Sequence, residues 1–286
     1  TRENGYTTIS HPYQADKKEF IASTDTAFRP VWSETGPDGT LYLVDMYRGI
    51  IQEGNWTKKG TFLRKIIDQF GLAEIVGGGR IYRVTKPGVD LGEKPNMYAE
   101  SPIELTKYLA HANHWWRINA QKFIVLSQDQ SVVPALKTIV KNHNNAHARL
   151  HALWTLEGLG IIDKELLTKA FSDPDSNVRT AALRISEQLV NKSDHSIIAV
   201  WQSLIAKADI ELAQQIFLSN FYVDIPQIKR EKIRDAILAK FPLNLPETKG
   251  LTAINQAILY QIKEREKQQA LASGNKALAE ALKRGG

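Results

Sequence analysis

Trp116-Arg117-Ile118-Asn119-Ala120 returns as Ala148-Arg149-Leu150-His151-Ala152 and again as Val178-Arg179-Thr180-Ala181-Ala182, at intervals of 32 and 30 residues. Each Arg-x-x-Ala string lies early in a run of helical period and follows a shorter helical segment, which is the sequence signature of a stacked array of helix pairs. Trp116, Ala120 and Phe123 fall at i, i+4 and i+7, and Val178, Ala182, Ile185 and Leu189 extend the same stripe in the third unit. The preceding helices offer Leu105, Tyr108 and Leu109, then Leu136, Ile139 and Val140, then Leu167, Ala170 and Phe171. The small alanines let neighbouring helices approach, so one apolar seam is expected to thread the stack.

Outward from this array the pattern changes on both sides. After residue 195, Ala199 to Ala206 and Ile210 to Phe221 read as helical, but no arginine holds the earlier register, and Pro226, Pro242 and Pro246 are expected to interrupt. Leu251 to Leu271 and Asn275 to Arg284, around Ser273-Gly274, read as charged helix, with Gly285-Gly286 as a hinge. On the N-terminal side, Ser101, Pro102 and Glu104 form a capping-box start. Residues 86 to 100 carry Pro87, Gly88, Gly92 and Pro95 and read as a linker.

Earlier still the period is that of strands. Three runs, Glu19 to Ser23, Thr40 to Val44 and Arg80 to Val84, are expected to form one small antiparallel sheet; the second is entered through the turn Gly36-Pro37-Asp38-Gly39 and the third through Gly77-Gly78-Gly79. Such a sheet is too small to stand alone and implies neighbours. Between the last two strands, Phe62, Leu63, Ile66, Ile67 and Phe70 share one helical stripe that stops at Gly71. The fold class read from these signals is mainly α: a helix-pair array preceded by one antiparallel sheet. The divisions are 1–86 for the sheet region with its helical insertion, 87–100 for the linker, 101–272 for the helical repeats and 273–286 for a terminal helix or linker.

Composition narrows the function classes. The 286 residues include 37 basic and 31 acidic side chains, a net charge of +6 that is interspersed rather than blocked, so an acidic partner gains little from it and no nucleic-acid motif accompanies it. There is no cysteine, which excludes disulfides, thiolate metal sites and covalent haem attachment within these residues. No signal segment or membrane-length apolar span is present, and with Thr1 first the chain is expected to be a piece of a larger secreted protein.

Three motifs carry a resemblance. Asp25 to Val31, then Gly36-Pro37-Asp38-Gly39-x-Leu41-Tyr42-x-Val44-Asp45-Met46-Tyr47-Arg48, then Gly79-Arg80-Ile81-Tyr82-Arg83-Val84, resemble the closing blade of bacterial dehydrogenase-like β-propellers, similar to sorbosone and other pyrroloquinoline-quinone (PQQ) sugar dehydrogenases. His111 to Arg117 and Arg149 to Gly158 look like the HEAT-like region that follows such a propeller, and the resemblance covers about residues 15 to 190. It implies a periplasmic or cell-envelope location, upstream propeller blades, and a downstream c-type cytochrome domain carrying Cys-x-x-Cys-His, for which residues 273–286 look like the lead-in. PQQ, Ca2+ and haem c would belong to the full-length parent, as would any sugar or alcohol dehydrogenase activity, with none of these cofactors held by this chain. A non-enzymatic cell-envelope scaffold is the competing expectation.

Within that resemblance the sharpest candidate site is the loop cluster Asp25, Arg29, Asp45, Tyr47 and Arg48. Propeller loops converge on a channel, where arginines could hold an anionic cofactor or substrate and an aspartate a hydroxyl or metal. Equally, Arg29 and Asp45 could pair simply to fix a corner. The repeat arginines Arg117, Arg149 and Arg179 either line a ligand ladder or bridge repeats by donating to loop carbonyls; bridging is the expectation taken. His143, His147 and His151 fall at i, i+4 and i+8, but with no carboxylates beside them in sequence they are read as surface or helix-start residues, as are His111 and His114. Gly77 to Gly79 precedes a strand and lacks the following lysine of a phosphate loop. Asn55-Trp56-Thr57 and Asn191-Lys192-Ser193 match the glycosylation triplet too weakly to carry a role.

Overall fold

The computed structural model describes residues 2–191 and 194–272. The helix expected at Asn275 to Arg284, the hinge Gly285-Gly286, the 273–286 segment as a whole and the last two residues of the Asn191 triplet lie outside the described residues. Within them the protein is mainly helical, with one three-stranded antiparallel sheet. The chain divides into two compact units, His11–Phe123 and Thr1–Ser10 with Ile124–Gly286.

In the first of these, strands β3 (Pro30–Thr35), β4 (Leu41–Asp45) and β5 (Arg80–Val84) form a meander with β4 in the centre. Thr35 pairs with Leu41, and Leu41 with Val84 on its other side. The turn works as its residues dictate: Gly39 takes φ +79°, its N–H donates to Gly36 O at 3.1 Å, and Gly36 N–H donates to Thr40 O at 2.8 Å. The first strand is not the one expected. Glu19 to Ser23 has no strand structure and Phe20 is 68% exposed. Instead Pro30–Thr35 runs straight into the Gly36–Gly39 turn, and a short closed loop selects the segment beside it over a more distant apolar run.

Helix α1 (Phe62–Gln69) is the insertion between β4 and β5, capped by the Thr61 hydroxyl accepting from Arg64 N–H. Of its apolar stripe only Ile67 is buried, while Phe62 is 76% exposed. The short helix α2 (Pro102–Leu105) continues into a 3-10 turn, Thr106–Ala110, and Glu104 reaches back to accept from both the N–H and the hydroxyl of Ser101. Helix α3 (His114–Ser127) then starts under the sheet turn. Trp116 Nε1 donates to Pro37 O at 2.9 Å and Asn113 Nδ2 to Gly36 O at 2.8 Å, and the Trp116 ring packs on Tyr108 and stacks on His111. The turn that closes the hairpin therefore also anchors it to the first helix pair.

The second unit opens with a hairpin that the strand reading missed: β1 (Arg2–Glu3) and β2 (Tyr6–Thr7), joined by Asn4-Gly5 with φ of 50° and 72°. Two positive φ values at Asn-Gly define the tight turn that matches strand twist. Four residues of strand fall below the length at which alternation can be recognised. Gln214 Nε2 donates to Asn4 O at 2.9 Å, Lys249 Nζ sits 4.5 Å from the Tyr6 ring, and a Cβ on Gly5 would meet the Gln214 side chain at 2.1 Å.

The helices of this unit are α4 (Val133–Asn142), α5 (Ala146–Gly158), α6 (Lys164–Ala170), α7 (Ser176–Asn191), α8 (Ser196–Ile205), α9 (Ile210–Tyr222), α10 (Gln227–Lys240) and α11 (Lys249–Ala272). Helix α4 packs on α5 and α6 on α7; α5, α7, α9 and α11 follow one another in contact, as do α4 with α6 and α8 with α10. Leu136, Ala152, Val178, Ala182, Trp201, Ile216, Ile233 and Ile237 are buried along these contacts. Pro226 lies in the break between α9 and α10 and is the N-cap of α10, where a missing N–H costs nothing. No helix among the described residues is long and apolar enough to cross a membrane.

Asp38 ties the sheet turn together. Its carboxylate accepts from Thr40 Oγ1 at 2.7 Å and Thr40 N–H at 3.1 Å, and faces Tyr42 Oη and Arg83 at 3.4 Å. The Thr40 hydroxyl first, then its N–H and the Arg83 guanidinium, hold the acid below its ordinary 3.8. A carboxyl favoured as its anion in the folded state stabilises above its unfolded value and loses that contribution as pH falls through its folded one. The Asp38 carboxyl should titrate by NMR at a midpoint below 3.8, and Asp38→Asn should remove the part of the acid-induced loss of stability that lies below pH 4.

Candidate functional site

The loop cluster is brought together by the end of β4. Asp45 is 1% exposed. Its Oδ1 accepts from the backbone N–H groups of Arg29 and Tyr47, each at 2.8 Å, and so folds the two loops around itself. This places Tyr47 at φ +43°, a left-handed conformation that a side chain with a Cβ adopts only when its surroundings fix it. Asp25 accepts from Ala27 N–H at 2.9 Å, and that bond, followed by the Tyr47 hydroxyl, lowers its pKa.

Arg29 and Asp45 do meet, but through the Arg29 backbone; the guanidinium instead donates to Phe28 O at 2.8 Å. Arg48 also turns away, its Nε donating to Ile50 O at 2.8 Å. The residue that joins the cluster unannounced is Arg80, whose Cζ lies 3.4 Å from the Tyr47 ring centroid and whose Nη1 donates to Tyr82 Oη at 3.0 Å. The signal for it was available: the meander register pairs Arg80 directly with Asp45. Asp45 Oδ2 remains buried with no partner among the described residues. Each of the two predicted arginines commits one N–H to a carbonyl of its own loop. Among the described residues no group of three or more His, Asp or Glu could hold a metal ion.

The repeat arginines share one geometry. Arg117 Nη1 donates to His111 O and Ala112 O at 2.6 and 2.7 Å; Arg149 Nη1 to His143 O and Asn144 O at 2.7 and 3.0 Å; Arg179 Nη1 to Asp173 O and Pro174 O at 2.7 and 3.0 Å. Each guanidinium thus reaches back to the carbonyls that leave the preceding helix, groups with no intrahelical partner. Two of them also reach forward. Arg149 Nε and Nη2 donate to both oxygens of Asp173 at 2.7 Å, and Arg179 Nη2 donates to Asp209, which caps α9 by accepting from Leu212 N–H. Among the described residues Arg117 meets no such carboxylate and its buried Nε has no partner, and burial lowers its pKa.

Lysines repeat the device on the other helices. Lys137 donates to Asp163, the N-cap of α6, at 2.7 Å; Lys164 donates to Asp194 at 2.9 Å; Lys240 donates to Ile205 O, Ala206 O and Ala208 O at the end of α8. The histidines of the i, i+4, i+8 series separate: His143 is the C-cap of α4, His147 is exposed and His151 is buried.

Residues 1–88 match the model of a domain of unknown function, DUF7133. No curated protein and no solved structure matches the chain.

The two forward-reaching arginines differ in burial, and their removal should differ with it. The Arg149 and Asp173 side chains are 10% and 8% exposed, so Arg149→Met should strand a buried carboxylate and cost about 3 kcal/mol. Asp209 is 44% exposed and can recover water, so Arg179→Met should cost nearer ~1 kcal/mol. Urea denaturation followed by helical circular dichroism checks the order; equal losses would show that the forward ion pair adds nothing to the carbonyl contacts.

Proposed function

We propose that this chain is a positioning module: its three-stranded sheet is the closing blade of a β-propeller, its helix pairs form a HEAT-like solenoid, and the two belong to a quinoprotein-like dehydrogenase or haem c electron-transfer protein of the bacterial periplasm or cell envelope. The observation that carries this reading is the sheet. Every residue of β3 and β5 is exposed, Trp32 by 64% and Ile81 by 69%, while Leu43 and Asp45 of the central strand are buried. Unpaired outer strands with uncovered apolar side chains suit a sheet completed by neighbouring blades. The cross-linking of helix ends by arginine and lysine supports the spacer role, since a stiff stack fixes a distance that a flexible linker leaves variable.

On this reading PQQ with Ca2+ sits among other blades and haem c in a cytochrome domain, while the residues described here set the distance between them. Full-length protein supplied with PQQ and Ca2+ should reduce its haem when given a sugar or alcohol substrate. Arg149→Met in that protein should slow haem reduction severalfold and leave quinone reduction unchanged. Absence of any substrate-dependent haem reduction retires the redox reading.

A non-enzymatic scaffold is favoured by one feature, the apolar side chains of α1 left uncovered at Phe62, Leu63 and Phe70. A stoichiometric cell-envelope partner lost on Phe62→Glu, from a protein isolated without cofactor, would select that alternative.

A further inference from the structure

Helices α9, α10 and α11 border an open cavity whose lining carries charges of both signs. It measures about 450 Å3, within the range of small-molecule sites. Its apolar surface comes from Phe217, Phe221, Ile258 and Ile262. Two cations, Arg230 and Arg265, and two anions, Glu231 and Glu266, also line it, and none of the four makes an ion pair among the described residues. A third cation, Arg234, is neutralised by Asp235 at 2.8 Å.

The remaining donors and acceptors are partly committed. Arg230 donates to Asn220 O, to Phe221 O at 2.7 Å and to Val223 O at 3.0 Å, which fixes its head at the end of α9. Arg265 lies over the Phe221 ring, 5.3 Å from its centroid, a contact that holds the side chain without using its N–H groups. Asn220 donates Nδ2 to Arg230 O at 3.0 Å, which settles the orientation of its amide, and its Oδ1 is buried with no donor. Glu231 Oε1 accepts from Gln227 Nε2 at 2.9 Å, which leaves its second oxygen; among the described residues the wall lacks an acceptor for Arg265 and a donor for Asn220 Oδ1 and Glu266. Unpaired charges of both signs around an apolar floor are complementary to a molecule that carries both signs and an apolar body.

We infer that this cavity binds a small zwitterion with an apolar side chain, of the α-amino-acid type: the carboxylate goes to Arg265, the ammonium to Glu231 and Glu266, and the side chain lies on Phe217, Ile258 and Ile262. The site is independent of the redox reading and stands whether or not the parent protein is a dehydrogenase.

Calorimetric titration of the chain with L-phenylalanine tests it, alongside glycine, N-acetyl-L-phenylalanine and phenethylamine, which lack the apolar body, the ammonium and the carboxylate in turn. L-phenylalanine should bind, and each truncated probe should bind about tenfold more weakly, the loss of one charge-assisted hydrogen bond or of the ring contact. Arg265→Met and Glu266→Gln, both at exposed positions, should leave the melting temperature unchanged and weaken L-phenylalanine about tenfold. No heat from any probe at millimolar concentration overturns the site. Equal affinity for L-phenylalanine and either of its singly charged analogues overturns the zwitterion assignment.

Discussion

The interaction on which the helical part depends is the capture of helix-end carbonyls by a guanidinium from the following helix. The last carbonyls of a helix have no partner of their own, and burying them unsatisfied costs more than most contacts return. In a stack of short helices every turn between pairs presents such groups close to the core. Arg117, Arg149 and Arg179 each supply two N–H donors to them, from the same place in their own helix. The stem packs, the head caps, and the spare N–H groups of Arg149 and Arg179 extend to the loop of the next pair. A lysine can capture helix-end carbonyls, as Lys240 does, but the planar fork of Arg149 also grips both oxygens of Asp173.

That geometry explains why the helical region was so legible. The demand for an arginine at one place and an alanine three residues on recurs with every pair, so the repeat is written into the sequence at nearly constant spacing. The legibility fails where the device changes. In α9, Ala213 stands four residues after the cap Asp209, where Arg149 stands four after Asn145, and no guanidinium can reach back from that helix. The carbonyls at the end of α8 are instead captured by Lys240 from α10, while Arg230, four residues after the cap Pro226, serves the end of α9 in the repeat's own register but is followed by Ile233 where the repeat has alanine. The stretch between Pro226 and Pro242 carries no helical reading in the sequence, yet α10 lies there.

The sheet failed in a different way. An apolar run at Glu19 to Ser23 looked like a better strand than Pro30–Thr35, which begins with proline and holds Ser33, Glu34 and Thr35. Composition rewards burial, and β3 is exposed throughout. What places it is chain connectivity: it adjoins the turn whose Asp38 and Gly39 set the register of everything after it. The same register carries Arg80 to the position opposite Asp45, so the missed member of the loop cluster follows from a strand pairing rather than from any motif. By contrast, the turn itself and the α1 stripe were visible because each is local. The side-chain directions of Arg29 and Arg48 were not, since a competing carbonyl within the same loop leaves no mark on residue type.

The change of capping at α9 has a spatial consequence that links these observations. Arg230 serves the end of α9 from α10, and beside it lie Phe217, Phe221 and side chains of α11. The cavity among α9, α10 and α11 is lined by that same Arg230. A guanidinium already saturated by three carbonyls contributes charge without offering a full fork, so the group free to grip an anion there is Arg265, held over the Phe221 ring. Where the arginine–alanine repeat no longer runs, the helix ends are still capped, but the side chains beside the cap border open space that carries charges of both signs.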